Sequence, residues 1–140
     1  MNQSGEAARL RRGAETVASV AGRITQSLQG RGEDEALRWI LQFVDDFRGS
    51  SPQGRTSLIV DPPQLIGDNR YDAALAALVE HLCAEAALAV PRWTSQPERF
   101  AEPWWFVAGI PDYEAAALRD SPISFKRHGV FLTARALQRV

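Results

Sequence analysis

The residue types that could do chemistry are few and widely spaced in this chain of 140 residues. The candidate metal ligands are Cys83 and the two histidines, His81 and His128. His81 and Cys83 are two positions apart, so on a helix their side chains point to different faces, whereas zinc needs three or four converging ligands. The sequence therefore predicts neither a metal site nor a bound cofactor.

Catalytic arrangements are equally sparse. No serine lies in a Gly-x-Ser-x-Gly motif, and Cys83 stands among apolar residues, where a thiol is inert. Acids are adjacent at Asp45–Asp46 and at 33–35, and Asp112 is close to Glu114, a pattern more typical of solvated charge than of an acid–base pair. The chain also has no P-loop and no Gly-x-Gly-x-x-Gly. We expect a protein without enzymatic activity; a pocket with two titratable groups within hydrogen-bond reach would favour a small enzyme instead.

The run Trp104–Trp105–Phe106 is the most conspicuous feature of the sequence. Three consecutive rings cannot all face inward on one helix or strand, so at least one should lie at the surface or under a loop. Tryptophan is enriched at the centres of protein interfaces. The run is explained by a small core closing one end of the fold, by an anchor for a protein partner, or by stacking on nucleic-acid bases.

The C-terminal segment 119–140 carries five basic residues against Asp120. Lys126, Arg127 and His128 stand just before Gly129, and cations in the last turn of a helix stabilise it through the helix dipole. The alternative is a basic patch, extended by Arg135 and Arg139, that docks on an acidic partner or on RNA.

Composition sets the class of protein. Hydrophobic residues make up 45% and charged residues 24%, with a net charge of −1, as in ordinary globular domains. The single cysteine fits a reducing cytoplasm, and the chain has neither a membrane-length apolar run nor an apolar signal core. Fifteen arginines against one lysine, together with the many alanines, are typical of a GC-rich bacterial genome. We expect a cytoplasmic bacterial protein with no membrane partner.

The elements that must position these residues are mainly helices. Apolar spacing predicts three longer helices, at about Glu6–Gln29, Asp34–Phe47 and Asn69–Ala89, the last one capped by Asp68. The polar stretch Arg48–Ser57 predicts a flexible connection, followed by a short extended piece at 58–60.

Short elements are predicted beyond Val90, where prolines and aromatic rings crowd together. They are a turn at Pro97 capped by Ser95, a helix over about Asp112–Arg119, a helix opened by Ser121 and Pro122 and closed by Gly129, and a last turn from Thr133 through Val140.

The predicted fold is a single all-α domain spanning 1–140, with low strand content. Its three longer helices form a bundle, and the C-terminal third of short helices and Trp/Pro-rich turns packs over one end. The first two helices superficially fit a helix-turn-helix, but the second offers Asp45 and Asp46 on its outer face, where they would repel phosphates. The N-terminal helix, within 1–30, is instead expected to be mobile or to form a homodimer through residues 6–29.

Three segments resemble a family of small, mostly uncharacterised actinobacterial proteins. They are Gly67-Asp68-Asn69-Arg70-Tyr71-Asp72 continuing to Leu82, Pro91-Arg92-Trp93 followed by Trp104-Trp105-Phe106, and the ending from Ser121-Pro122 through Phe125-Lys126-Arg127-His128-Gly129 to Val140. The likeness covers 58–140, the family-like core, and more loosely 33–47. This chain has His128 where the family ending carries an arginine.

The resemblance implies an antitoxin-like partner of a nucleotidyltransferase-like toxin, the cognate toxin being the protein that it binds. We expect a non-catalytic module of a toxin–antitoxin system that neutralises its toxin by covering its surface. The predicted partner-binding residues are Trp104, Trp105, Arg127, Phe131 and Arg139, with the rings as anchors and the arginines setting the register. The alternative is a nucleic-acid-binding transcriptional regulator that uses the basic tail or the first helix.

Overall fold

The computed structural model of the protein describes residues 14–107 and 111–137. These residues are mostly helical, as predicted, and their strand content is low. Their contacts divide the chain into two compact units, Met1–Gln64 and Leu65–Val140. The single domain and the bundle of three longer helices stay predictions.

The first unit contains three helices: α1 (Val17–Gln29), α2 (Glu33–Arg48) and α3 (Pro52–Ile59). Helix α1 packs on α2, and α3 contacts both. The core residues of α1 and α2 repeat at helical spacing, and they are Val17, Val20, Ala21, Ile24, Ala36, Ile40, Phe43, Val44 and Phe47.

The first predicted helix was placed too early. Within the described residues α1 begins at Val17, because Thr16 has extended backbone and its side chain accepts a hydrogen bond from Ser19 N at 3.1 Å. The earlier part of that prediction, residues 6–13, lies outside the described residues. The homodimer through residues 6–29 stays a prediction.

The predicted flexible connection at Arg48–Ser57 and the extended piece at 58–60 are wrong. Ser51 caps α3 by accepting from Gly54 N at 3.1 Å, and Pro52 occupies the first turn, where its fixed φ favours a helix. Leu58 and Ile59 are buried at the end of this helix.

The second unit is built on α4 (Asn69–Ala86), the longest described helix. Asp68 caps it as predicted, by accepting from Arg70 N at 3.1 Å. The helix ends at Ala86, earlier than the predicted Ala89, because Ala87 adopts a left-handed conformation with φ 56° and its N–H bonds to Cys83 O. Apolar residues on nearly every side of α4 are buried.

The rest of the second unit consists of short elements around α4. They are two 3₁₀ turns (Arg92–Ser95 and Pro97–Arg99), β1 (Trp105–Phe106), α5 (Pro111–Asp120), α6 (Ile123–Arg127), β2 (Val130–Phe131) and a 3₁₀ turn (Ala134–Leu137). The strands are parallel, with Trp105 opposite Val130 and Phe106 opposite Phe131. Helix α6, β2 and the first two 3₁₀ turns contact α4.

Two predicted caps in this region differ in the structure. The turn at Pro97 is present, but Gln96 precedes it and no side chain caps it. Ser121 does not cap α6, because its hydroxyl donates to Ala117 O and accepts from Leu132 N at 2.9 Å. The predicted last turn is present after Thr133, whose carbonyl accepts from Ala136 N, and residues 138–140 lie outside the described part.

Candidate functional site

A buried polar cluster of Glu80, Arg127 and His128 joins α4 to the end of α6. Glu80 Oε2 lies 2.8 Å from His128 Nε2 and 3.2 Å from Arg127 Nη1. The His128 side chain is wholly buried and that of Glu80 is 10% exposed, whereas that of Arg127 is 47% exposed. The cluster thus reaches from the interior of the second unit to its surface through Arg127 alone.

The imidazole of His128 has protein partners at both nitrogens. Its Nδ1 bonds to the Arg99 carbonyl oxygen, which can only accept, so Nδ1 carries a hydrogen. Its Nε2 lies 2.8 Å from Glu80 Oε2 and 3.2 Å from Arg127 Nη1. The ring is stacked on Phe100 with the centroids 4.4 Å apart.

The pair of titratable groups that would favour an enzyme is present, since Glu80 and His128 are within hydrogen-bond reach and His128 borders a groove. However, both nitrogens of His128 are already in contact with protein groups, and the side chain has no exposed surface. A general base needs a nitrogen that can reach the substrate proton. In this arrangement the cluster holds Arg127 in place rather than offering a base.

An open groove of about 560 Å³ lies beside the cluster, and we call it the Trp104–Arg127 groove. Its walls include Pro97, Phe100, Glu102, Pro103, Trp104 and Arg127. The guanidinium of Arg127 lies over the Phe100 ring at 5.2 Å and donates from Nη2 to Ser95 Oγ at 3.4 Å. The groove therefore presents apolar rings and prolines around a positioned cation.

Trp104 is 62% exposed on this groove, the surface position that the aromatic run predicts for at least one of its rings. Its ring packs against Phe131 with the centroids 5.0 Å apart, so the exposed indole has a buried support. An exposed but supported tryptophan loses little conformational entropy when a partner covers it.

Gly129 allows the loop that carries Ala101 and Trp104 to pack closely against the end of α6. It has φ 75°, and a Cβ there would lie 2.8 Å from Ala101 O and 3.0 Å from Trp104 Cδ1. Two backbone hydrogen bonds also join this loop to the turn at Gly129. Ala101 N donates to His128 O at 2.7 Å, and Trp105 N donates to Gly129 O at 2.9 Å. Glycine is the residue that fits both the backbone conformation and the close approach.

The other predicted site residues are placed differently. Trp105 is half-buried, with its ring 5.0 Å from Tyr71 and the Arg70 guanidinium 5.2 Å from it. Phe131 is buried between Trp104 and Phe106 and supports the rings rather than being presented itself. Arg139 lies outside the described residues. The structure thus brings Trp104, Arg127 and Phe131 together and places Trp105 apart from the groove lining.

The sequence analysis did not identify Asn69, Arg99 and Glu80, whose contacts fix the backbone and side chains that line the groove. Asn69 donates to Phe100 O at 2.8 Å and accepts from Glu102 N at 2.7 Å, which ties the loop before the groove to the start of α4. Arg99 is almost wholly buried against Trp93, with Nη1 3.6 Å from Asp72 Oδ1. One signal was available: Glu80 is a lone acid on an apolar stretch of α4, and a buried charge requires a partner.

Burial shifts the pKa of several groups near α4. It raises the pKa of Asp72, although Ile66 N at 2.7 Å and Gly67 N donate to that carboxylate and act against the shift. It lowers the pKa of Arg99, against the opposing charge of Asp72. It raises the pKa of the Cys83 thiol to about 11, with a further contribution from the charge of Glu80.

A second, smaller groove of about 210 Å³ lies on α2, lined by Glu35, Arg38, Trp39 and Gln42.

One of the two acidic residues predicted on the outer face of α2 is not exposed there. Asp46 is buried and accepts a hydrogen bond from Gln42 Nε2 at 3.3 Å.

The described residues offer neither a metal site nor a membrane span. Within the described ranges no three His, Cys, Asp or Glu side chains come together as a metal site, and His81 pairs instead with Glu85 at 3.2 Å. No helix in the described part of the chain is long and apolar enough to cross a membrane. No protein family, curated protein or solved structure was found to match the chain.

Proposed function

We propose that the protein is a non-catalytic protein-binding module that covers a surface of its partner with the Trp104–Arg127 groove. The observation that carries the proposal is the 62% exposed Trp104 ring, supported by Phe131 and placed beside the half-exposed Arg127. Rigid tryptophan and arginine side chains at one place are the usual anchors of protein interfaces.

The partner that we propose is a cognate toxin of the nucleotidyltransferase type, which the protein neutralises as an antitoxin. Support for this identity comes from the resemblance of 58–140 to antitoxin-like proteins. The groove adds a physical route to neutralisation, since a module without chemistry of its own can act by occluding the surface that the toxin needs.

The test is co-expression with the product of the neighbouring gene, followed by affinity capture and growth of the host cells. Trp104→Ala and Arg127→Glu should each weaken capture by about thirtyfold, as expected for an interface anchor, and should restore toxicity. Val60→Ala is the matched control, because Val60 is 55% exposed and lies in the other unit. Each variant is checked by circular dichroism, so that lost binding is not confused with lost folding.

Two results would contradict the proposal. One is full capture and full neutralisation by the double variant Trp104→Ala/Arg127→Glu. The other is a chain that ignores the neighbouring protein but retards operator DNA with an affinity falling steeply with salt, which is the behaviour of a nucleic-acid-binding regulator.

A further inference from the structure

We propose that the Trp104–Arg127 groove recognises a carboxylate side chain flanked by apolar residues, in an acidic segment of the partner protein. The inference rests on the proposed function, because it names the chemistry of the partner at the same site. The first step is the position of Arg127, whose Nη1 is held by Glu80 at 3.2 Å and whose Nη2 lies 3.4 Å from Ser95 Oγ.

Arg127 is held on one side and open on the other. Its guanidinium lies over Phe100, yet the side chain is 47% exposed, and no described residue accepts a hydrogen bond from its Nε. A planar guanidinium fixed in this way presents its remaining N–H groups as a fork that matches a carboxylate. Because the side chain is already ordered, binding costs little further conformational entropy.

The exposed charge of the groove is that of Arg127. Among the described lining residues Arg127 is a cation with exposed surface, whereas its acidic partner Glu80 is 10% exposed and does not line the groove. A carboxylate that enters the groove would therefore meet the guanidinium before it meets the Glu80 charge.

The walls of the groove favour a peptide over a nucleic acid. Pro97, Phe100, Pro103 and Trp104 offer apolar area to side chains on either side of the carboxylate. Glu102 lines the same groove and would repel a second negative charge. Nucleic acid is bound by several cations that neutralise successive phosphates, whereas this groove offers one accessible cation and one acid.

The test uses the full chain labelled with ¹⁵N and two acetylated, amidated peptides that differ at one position. One peptide has a single glutamate between leucine and proline residues, and the other has glutamine in its place. Titrations follow the indole N–H resonance of Trp104 and the Nε–H resonance of Arg127. Sodium acetate and a single-stranded oligodeoxynucleotide are titrated in parallel.

The expected result is at least about tenfold tighter binding of the glutamate peptide, the usual effect of one charge-assisted fork. In Arg127→Gln the two peptides should bind within about twofold of each other. Arg119→Gln is the matched control, since Arg119 is exposed, pairs with Asp120 at 2.9 Å and does not line the groove, so discrimination should persist.

Equal binding of the two peptides, or equal absence of binding, overturns the inference. So does tighter binding of the oligonucleotide, which would assign the groove to nucleic acid, or saturation by acetate alone, which would assign it to a small anion. If the peptides are not distinguished while Trp104→Ala still abolishes capture of the partner, the proposed function stands and this inference alone falls.

Discussion

The His128 imidazole and the Glu80 carboxylate, 48 residues apart in the chain, lie 2.8 Å from each other in the interior of the second unit. On the same helix as Glu80, Glu85 pairs with His81 at 3.2 Å, but there the carboxylate is 43% exposed. The chain therefore contains two His–Glu pairs, one buried and one exposed. Loss of a partner should cost more stability in the buried pair, because water cannot solvate the group that is left behind.

Removing one member of the buried pair should be strongly destabilising. Glu80→Leu leaves the buried His128 ring and the Arg127 cation without their shared partner, so we expect the free energy of unfolding to fall by about 3 kcal/mol. Urea denaturation followed by circular dichroism measures this. Glu85→Leu, the matched control, should cost no more than about 1 kcal/mol.

The double variant Glu80→Leu/His128→Leu provides the second half of that test. Because neither member of the pair is then left buried without the other, the double change should cost less than the sum of the two single changes. Strict additivity, or equal losses for Glu80→Leu and Glu85→Leu, would show that the buried pair has no special role.

Gly129→Ala should destabilise the second unit. The added methyl group would meet Ala101 O at 2.8 Å, and the residue would have to keep φ 75°, so a loss of about 1–3 kcal/mol is expected. Gly22→Ala is the control within α1, where no atom lies within 4 Å of the added carbon, and it should stabilise the protein by about 0.5–1 kcal/mol. Thermal unfolding of the two variants should thus shift in opposite directions, and a shift in the same direction would contradict the assignment.

Local signals in the sequence were sufficient for the longer helices α2 and α4, but not for α3 or for the site. The cap at Asp68 and the apolar spacing of α2 depend on neighbours within one or two turns, and both predictions agree with the structure. The Ser-Pro pattern predicts a helix start at Ser121, but in the structure the Ser-Pro cap is at Ser51, within the segment for which the polar composition predicts a flexible connection. The dipeptide is compatible with either outcome, and tertiary hydrogen bonds decide between them.

The candidate site depends on contacts that no local pattern contains. The aromatic run predicted an exposed ring, but not that Trp104 would be the exposed one, because this depends on Phe131 reaching it from β2. Likewise, His128 was interpreted with its basic neighbours as part of a helix end, whereas Glu80 and the Arg99 carbonyl draw it into the interior. Pairing across 48 residues is set by the fold as a whole.

Cys83 should make stability fall at alkaline pH. Burial and the charge of Glu80 raise the pKa of this thiol from 9.0 to about 11 in the folded protein. Between these values the unfolded chain loses the thiol proton and the folded chain keeps it. The stabilisation is therefore present below pH 9.0 and is lost as the pH rises to about 11, with a total on the order of 2–3 kcal/mol.

The measurement compares the native protein with Cys83→Ala, because tyrosine and lysine titrate in the same range. The difference in their free energies of unfolding should change between pH 9 and pH 11, and a constant difference would contradict the prediction. An independent check is alkylation at pH 8, which should be slow in the folded protein and rapid in guanidinium.

Two acids at the start of α4 should respond to acid in opposite directions. The side-chain and backbone hydrogen bonds from Arg70 lower the pKa of Asp68, whereas burial raises the pKa of Asp72, and both groups have an ordinary value of 3.8. Asp68 therefore contributes stability above pH 3.8 that is lost as the pH falls through its lower folded pKa. Asp72 binds its proton more tightly when folded, so its contribution to stability rises as the pH falls through its folded pKa towards 3.8.

Unfolding of the native chain, Asp68→Asn and Asp72→Asn between pH 3 and pH 7 separates the two effects. Asparagine keeps a capping oxygen at 68, so that variant should lose less than about 1 kcal/mol at neutral pH. Its deficit relative to the native chain should shrink on acidification, because the native chain loses the ionised cap. The deficit of Asp72→Asn should instead grow, since protonation relieves the native chain of a buried charge that asparagine never carried. Parallel behaviour of the two variants would mean that burial does not dominate at Asp72, and that its hydrogen bonds from Ile66 and Gly67 outweigh the desolvation.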